Sequence, residues 1–446
     1  MGRTGVQAMP RLLVALLLAF LIASIAPAAA QTRLPAPVRA VLDNGLTVLV
    51  QENHAAEIVT LYAWVKVGSR DETEELNGAA HFVEHMLFKG TRRRKVGQIS
   101  REVEGVGGIL NASTWYDWTS YYIVVSSRFF DRMLDIQSDA LMNSTFDPAE
   151  FERERLVVIE ELSRREDTPS TRSFDLLAAT AWTVHPYRRF PGGTRPVIRA
   201  MTRDGLFAFY RTHYVPGNVI VVVAGDVRAN EVIAKARRAY GSWRGTPPPP
   251  RIPATTEPAF TSVRRAVADA DVRVTSMRLG WVGPNVRDRD VYATDVLLYA
   301  LGEGRASRLV RTVQDRLRLV QQLSVSFSTQ ADPGLFTIYA VCDPDAQARA
   351  EEAILDEVTA IRTDGITEEE LRRAKTLLEA EVVIGSHTSR GAASTLGYYA
   401  AIADVDFVLT YLDRMRQVTR EDVQRAAQRF LDPQRYAVAV IRPRRS

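Results

Sequence analysis

Two rhythms of apolar and polar positions alternate along this chain. Residues 46–50 and 58–67 are runs rich in β-branched, aromatic and aliphatic side chains, and residues 121–126 and 219–224 repeat that pattern. Such runs predict strands. Asn44-Gly45 falls between the apolar segments 38–42 and 46–50, the signature of a hairpin turn. Residues 78–88, 129–143 and 149–165 instead carry apolar side chains at helical spacing. Strands and helices intermix throughout, which predicts an α+β architecture.

The clearest interruption is Pro247-Pro248-Pro249-Pro250 within residues 245–253, a composition that favours an extended, semi-rigid connector. The segments on either side resemble one another. An offset of 220 lays Glu150 over Glu370, Arg153 over Arg373 and Glu161 over Glu381, each pair on a predicted helix with an acidic first turn. The expectation is one architecture built twice: a leader over 1–30, an N-terminal domain over 31–244, a linker over 245–258 and a related C-terminal domain over 259–446.

Composition narrows the function classes. Of 446 residues, 46% are hydrophobic and 25% charged, which excludes a disordered or collagen-like chain. One cysteine, Cys342, excludes an internal disulfide framework and a cysteine-rich metal site. A net charge of +4 over this length, without long basic runs, gives nucleic-acid binding no support. Arg3 and Arg11 precede an apolar run over 12–25, and Ala28-Ala29-Ala30 follows. That order predicts a secretory signal peptide cut after Ala30, with a periplasmic or secreted product. The apolar run is short for a bilayer span of about 20 residues.

The strongest chemical signal is His81-Phe82-Val83-Glu84-His85. On a helix, positions i and i+4 share a face, so both imidazoles can reach one metal ion. Two imidazoles suit zinc, and Glu84 is placed to act as the base of a metal-assisted hydrolysis. The flanking residues are apolar, and burying His and Glu among them is costly without a partner such as a cation. A third ligand is expected from another element. Glu154 and Glu161 lie seven apart on one face of an apolar helix, so one can bind metal while the other orients a ligand imidazole. An offset of 214 places Asp295, Leu298 and Tyr299 opposite His81, Glu84 and His85, a set that cannot hold zinc in the same way.

These residues extend into a longer pattern. His81–His85 runs on into Met86-Leu87-Phe88-Lys89-Gly90-Thr91. Gly107-Gly108, Asn111-Ala112-Ser113-Thr114, Glu154–Glu161 and Tyr214-Val215-Pro216-Gly217-Asn218 follow. Over nearly the whole mature length the chain resembles the pitrilysin/insulinase-type metallopeptidases (family M16), in particular the half-length group that includes mitochondrial processing peptidase and its bacterial relatives.

The resemblance implies two homologous α/β-roll domains, each a sheet expected to be antiparallel with helices packed on it, forming half of a clamshell. It implies zinc, one per chain, held by His81, His85 and Glu161, with Glu84 as general base and Glu154 orienting a ligand from behind. It implies that Asn111-Ala112 lie on an edge strand to which an extended peptide adds. The C-terminal half is expected to be a non-catalytic copy. Relatives that carry an Arg and a Tyr seven apart in that half would place them at Phe336 and Asp343, so a second M16-like chain, as heterodimer or homodimer, is the expected partner. The alternative is a non-catalytic or partner-dependent subunit. Of the two acids by which processing peptidases hold a substrate arginine, only Asp175 is present; Thr171 occupies the other position.

Overall fold

The structure is a computed structural model that describes residues 36–251 and 255–444. The expected leader, with its cut after Ala30, lies outside the described residues. Among those residues, no helix is long and apolar enough to cross a membrane.

The first sheet contains β1 (Val38–Val41), β2 (Thr47–Glu52), β3 (Ile58–Val65), β4 (Ile109–Thr114), β5 (Thr119–Ser126) and β6 (Val219–Gly225) in the order β1-β2-β6-β3-β5-β4. The β1–β2 hairpin expected around Asn44-Gly45 is present. Gly45 sits at φ +89°, a conformation L side chains avoid, and the Asn44 side chain accepts the Leu46 amide at 3.2 Å. Alternating residues of β2, β3, β5 and β6 build a core with the helices below, including Val48, Leu61, Val65, Ile123 and Val221.

The second sheet contains β7 (Arg264–Ala270), β8 (Thr275–Val282), β9 (Gln322–Phe327), β10 (Leu335–Cys342) and β11 (Ala437–Pro443), ordered β7-β11-β8-β10-β9. Set beside β2-β6-β3-β5-β4, this is the same strand order. The senses agree as well: β2–β6 and β7–β11 are parallel, and the remaining pairs are antiparallel. The wholly antiparallel sheets implied by the resemblance are therefore refined to mixed ones. A long connection frees the last strand of each half from hairpin geometry, so it can enter between two earlier strands and run parallel to one of them.

Each sheet receives a helix from the other half. Helix Pro169–Ala181, which follows the acidic helix Pro148–Asp167, packs on β8 and β11 of the second sheet. Helix Ser389–Ile402 packs on β3 and β6 of the first. The contacts are close. A Cβ on Gly397 would lie 2.0 Å from Trp64 Nε1, and one on Gly280 would lie 2.7 Å from Leu177 Cδ2. Leu177, Ala178 and Trp182 of one half join Leu335, Ala437 and Ala439 of the other in a shared apolar cluster. The described residues thus form one compact unit.

Residues 243–251 and 255–260 have no regular structure. Arg251, at the end of the proline run, pairs with Asp71 at 3.3 Å and donates to the Asp117 carbonyl.

Candidate metal centre

Helix Ala79–Leu87 buries Ala79, Ala80, Phe82, Val83, Met86 and Leu87, which leaves His81, Glu84 and His85 on its remaining face. Its start is fixed by an unusual cap. Gly78 sits at φ +98°, where an added Cβ would meet the Gly192 carbonyl at 2.8 Å. The carboxylate of Glu72 accepts the amides of Gly78 at 2.8 Å and Ala80 at 2.7 Å, together with the Asn77 side chain at 3.0 Å. These would otherwise be the orphan donors of the helix end. Burial pushes the Glu72 carboxyl up to about 7 in spite of these bonds.

The acidic helix Pro148–Asp167 starts at Asp147, whose carboxylate accepts the Ala149 amide at 2.9 Å, with Pro148 at its first position. Phe151 stacks on Phe82 with ring centroids 4.9 Å apart, which docks this helix against the first. Glu154 and Glu161 then face the two histidines.

One ligand atom each from His81, His85 and Glu161 lie within 4.8 Å of one another. Glu161 Oε2 is 3.4 Å from His85 Nε2 and 3.7 Å from His81 Nε2. Behind His85, its Nδ1 lies 3.1 Å from Glu154 Oε2, and the other Glu154 oxygen accepts from Lys89 Nζ at 2.6 Å. A proton on Nδ1 bonded to Glu154 leaves the Nε2 lone pair facing Glu161. Glu84 accepts a hydrogen bond from the Thr114 hydroxyl at 2.6 Å.

The electrostatics are those of a site built for a cation. Burial lowers the pKa of His81, and neighbouring His85 adds to the effect. Burial also opposes charge on His85, but Glu154 and Glu161 outweigh it and raise this group to about 9. Burial lifts the Glu84 carboxyl to about 7, with Thr114 pulling the other way. The hydrogen bond to His85 holds Glu161 below its ordinary value. Three carboxylates therefore converge on two imidazoles, with Lys89 against Glu154 and Arg164 4.0 Å from Glu161, and His81 Nδ1 is buried without a partner among the described residues. Two nitrogen donors and one carboxylate, with Glu161 38% exposed on the open side, suit zinc with a position left for water or substrate.

Among the described residues, strand β4, which carries Asn111 and Ala112, is the outermost strand of its sheet and pairs only with β5. Asn111 is exposed, and its side-chain oxygen accepts the Ala112 amide at 2.8 Å. Phe336 is fully buried in the second core, and Asp343 accepts from Gln321 at 2.9 Å. Asp175 is occupied by its own chain: Arg165 donates to both of its oxygens at 2.7 Å. In the second half, the Tyr299 hydroxyl donates to Glu381, and Asp295 accepts from Tyr411 at 2.6 Å. The Tyr299–Glu381 hydrogen bond joins helices Val291–Gly302 and Glu368–Ser386, the counterparts of the two helices that the His85 and Glu161 pair joins in the first half. Three contributors carry no assignable signal in the sequence. Lys89 and Thr114 lie inside motifs quoted above, but their contacts come from tertiary packing. Glu72 carries no signal, because its role depends on a helix end six residues away.

Comparison with known proteins places this geometry. The profile of the family described as Insulinase (Peptidase family M16) matches residues 47–193, and that of the Peptidase M16 inactive domain matches residues 200–378. An uncharacterized zinc protease of Mycobacterium leprae is 33% identical over 91% of each chain. A probable mitochondrial-processing peptidase subunit beta of Arabidopsis thaliana is 29% identical over 90% of this chain and 77% of its own length. The crystal structure of a protease from Helicobacter pylori superposes with a TM-score of 0.87 at 28% identity, covering 92% of this chain and all of that one. The M16 inactive-domain protein of Pseudomonas fluorescens shares the fold at a TM-score of 0.84 and 19% identity. The chain belongs to the insulinase-type peptidases of family M16, in their half-length form.

Proposed function

We propose that this chain is an exported zinc endopeptidase that hydrolyses peptides or unfolded polypeptide segments. The observation that carries this reading is the convergence of His81, His85 and Glu161, with Glu84 beside them on the same helix. Zinc, when bound, supplies Lewis acidity that polarises a scissile carbonyl and lowers the pKa of water.

The chain's own residues do the rest. Glu154, backed by Lys89, fixes the His85 ring so that Nε2 presents its lone pair. Glu84 takes a proton from the attacking water and returns it to the departing amine. Thr114 sets the orientation of that carboxylate. An extended peptide adds beside β4 by main-chain hydrogen bonds, and the Ala112 amide exchanges the Asn111 side chain for a substrate carbonyl.

A second M16-like chain closes the chamber. Phe336 and Asp343, one buried and one engaged elsewhere, offer no Arg/Tyr pair from this chain, which favours a partner that supplies one. The periplasmic or secreted location rests on the leader composition alone.

The test is metal content and chelator-sensitive cleavage of a quenched peptide library by the chain from Gln31 onward. Zinc at about one per chain, as a single catalytic site requires, together with cleavage lost to chelator, supports a self-sufficient enzyme. Zinc with cleavage only after a partner chain is added supports the paired form. Neither zinc nor cleavage in any combination overturns the reading.

A further inference from the structure

Strand β4 has two faces. Leu110 and Ala112 pack on the first core and Thr114 reaches Glu84, so these residues face the metal helix. Alternation places Ile109, Asn111 and Ser113 on the opposite face, and all three are exposed. Tyr122 of β5 pairs directly with Asn111 and shares that face.

The second half reaches this surface. Helix Ser389–Ile402 is anchored to β3 by Ser389 Oγ, 2.9 Å from Thr60 Oγ1. The next residue, Arg390, donates to the Tyr122 hydroxyl at 3.4 Å, with its guanidinium carbon 5.8 Å from the ring centroid. Arg390 is exposed, and no carboxylate among the described residues pairs with it. It also sits in the first turn of its helix, where the dipole disfavours a cation. A charge held against the local field, without a carboxylate partner and beside the edge that would receive the substrate, has its guanidinium free to take a carboxylate from outside.

We propose that Arg390 is a specificity-determining residue that selects an acidic side chain, glutamate above aspartate, on the substrate strand added beside β4. This rests on the peptide-adding reading of β4 given above. Side chains of an added strand alternate between the metal face and the Asn111/Tyr122 face, so the substrate residues level with Tyr122 on that face, and not their immediate neighbours, point toward Arg390. The added strand lies two strand spacings from β5, about 10 Å. An arginine swung off Tyr122 and a glutamate span that gap together more readily than an arginine and an aspartate. The guanidinium fork suits a carboxylate.

The experiment uses matched quenched peptides with Glu, Asp, Gln or Lys stepped through each position flanking the scissile bond. Wild type is compared with Arg390→Glu and with Arg349→Glu, an equal charge change at an exposed site on the helix Gln347–Asp364. The expected result is a Glu-over-Lys preference of about threefold to fivefold at alternating positions, the size of one partly exposed ion pair. It shrinks in high salt, inverts in Arg390→Glu and persists in Arg349→Glu. The same peptides, fluorescently labelled, are titrated onto Glu84→Gln chain, alone and combined with Arg390→Glu, to read the preference as binding. Circular dichroism verifies the fold of each variant. Peptides that are cut or bound with no Glu-over-Lys ratio, or a ratio that survives Arg390→Glu, overturn this inference and leave the peptidase reading intact. Zinc-loaded chain that neither cuts nor binds any peptide, alone or with a partner chain added, overturns both.

Discussion

At the scale of single residues, the chemistry depends on one carboxylate being ready to accept a proton. Burial lifts Glu84 to about 7 and the Thr114 hydroxyl opposes the rise. Removing that hydroxyl in Thr114→Val raises the Glu84 pKa further. A base works only when deprotonated, so the acidic limb of the activity profile moves to higher pH. An unchanged limb in the pH dependence of kcat/KM would show that Thr114 does not touch the working carboxylate. Lys89→Met removes the cation behind Glu154 and loosens its hold on His85, so zinc affinity should fall by about tenfold, the lower end of outer-shell effects. Chelator competition measures it, and wild-type affinity would remove Lys89 from the site. His81-Phe82-Val83-Glu84-His85 is legible in sequence because one helix turn carries it. Glu154 and Glu161 are legible as a shared helix face. Lys89 and Thr114 were not, since each meets its partner only after separate elements pack.

At the scale of elements, the helix carrying the histidines is positioned by a buried acid. Its expected span of 78–88 agrees with the observed Ala79–Leu87, because the apolar spacing is strong. The Glu72 cap was invisible to periodicity. Glu72→Ala leaves the buried amides of Gly78 and Ala80 without partners, at about 1–3 kcal/mol each. Urea unfolding should show that loss. The acid also links stability to pH. Folded Glu72 holds its proton up to about 7, whereas the unfolded chain releases it near the ordinary carboxyl value of 4.5. The folded state therefore binds more protons between those values, and the Glu72 contribution to stability fades as pH rises through that window. Glu72→Gln should lack this part of the slope, and identical slopes in the two proteins would refute the buried carboxyl as its source. The strand signals at 46–50, 58–67, 121–126 and 219–224 were legible for the same reason as the helix. The parallel pairs β2–β6 and β7–β11 were not, because strand sense across long connections leaves no local mark.

At the scale of the whole molecule, the two sheets share one strand order and exchange covering helices. The repeat was legible in the offset of 220 between acidic helices, but the exchange was not, since nothing in a helix's own sequence names the sheet it covers. The exchange makes glycine necessary at two places. Alanine in place of glycine within a helix ordinarily stabilises by up to about 1 kcal/mol. Gly397→Ala should do the opposite, because its Cβ would lie 2.0 Å from the buried Trp64 indole. A loss of about 1–3 kcal/mol is expected from such overpacking, and a gain on thermal unfolding would contradict the interlock.

The central claim is that His81, His85 and Glu161 hold zinc while Glu84 moves the proton. The most direct test measures zinc content and peptide hydrolysis side by side in wild type and Glu84→Gln, with the partner chain present if wild type needs it. The account predicts equal zinc and a loss of hydrolysis by about 10²–10⁴, the usual share of general base catalysis. Hydrolysis by Glu84→Gln at the wild-type rate, with zinc retained, would contradict it.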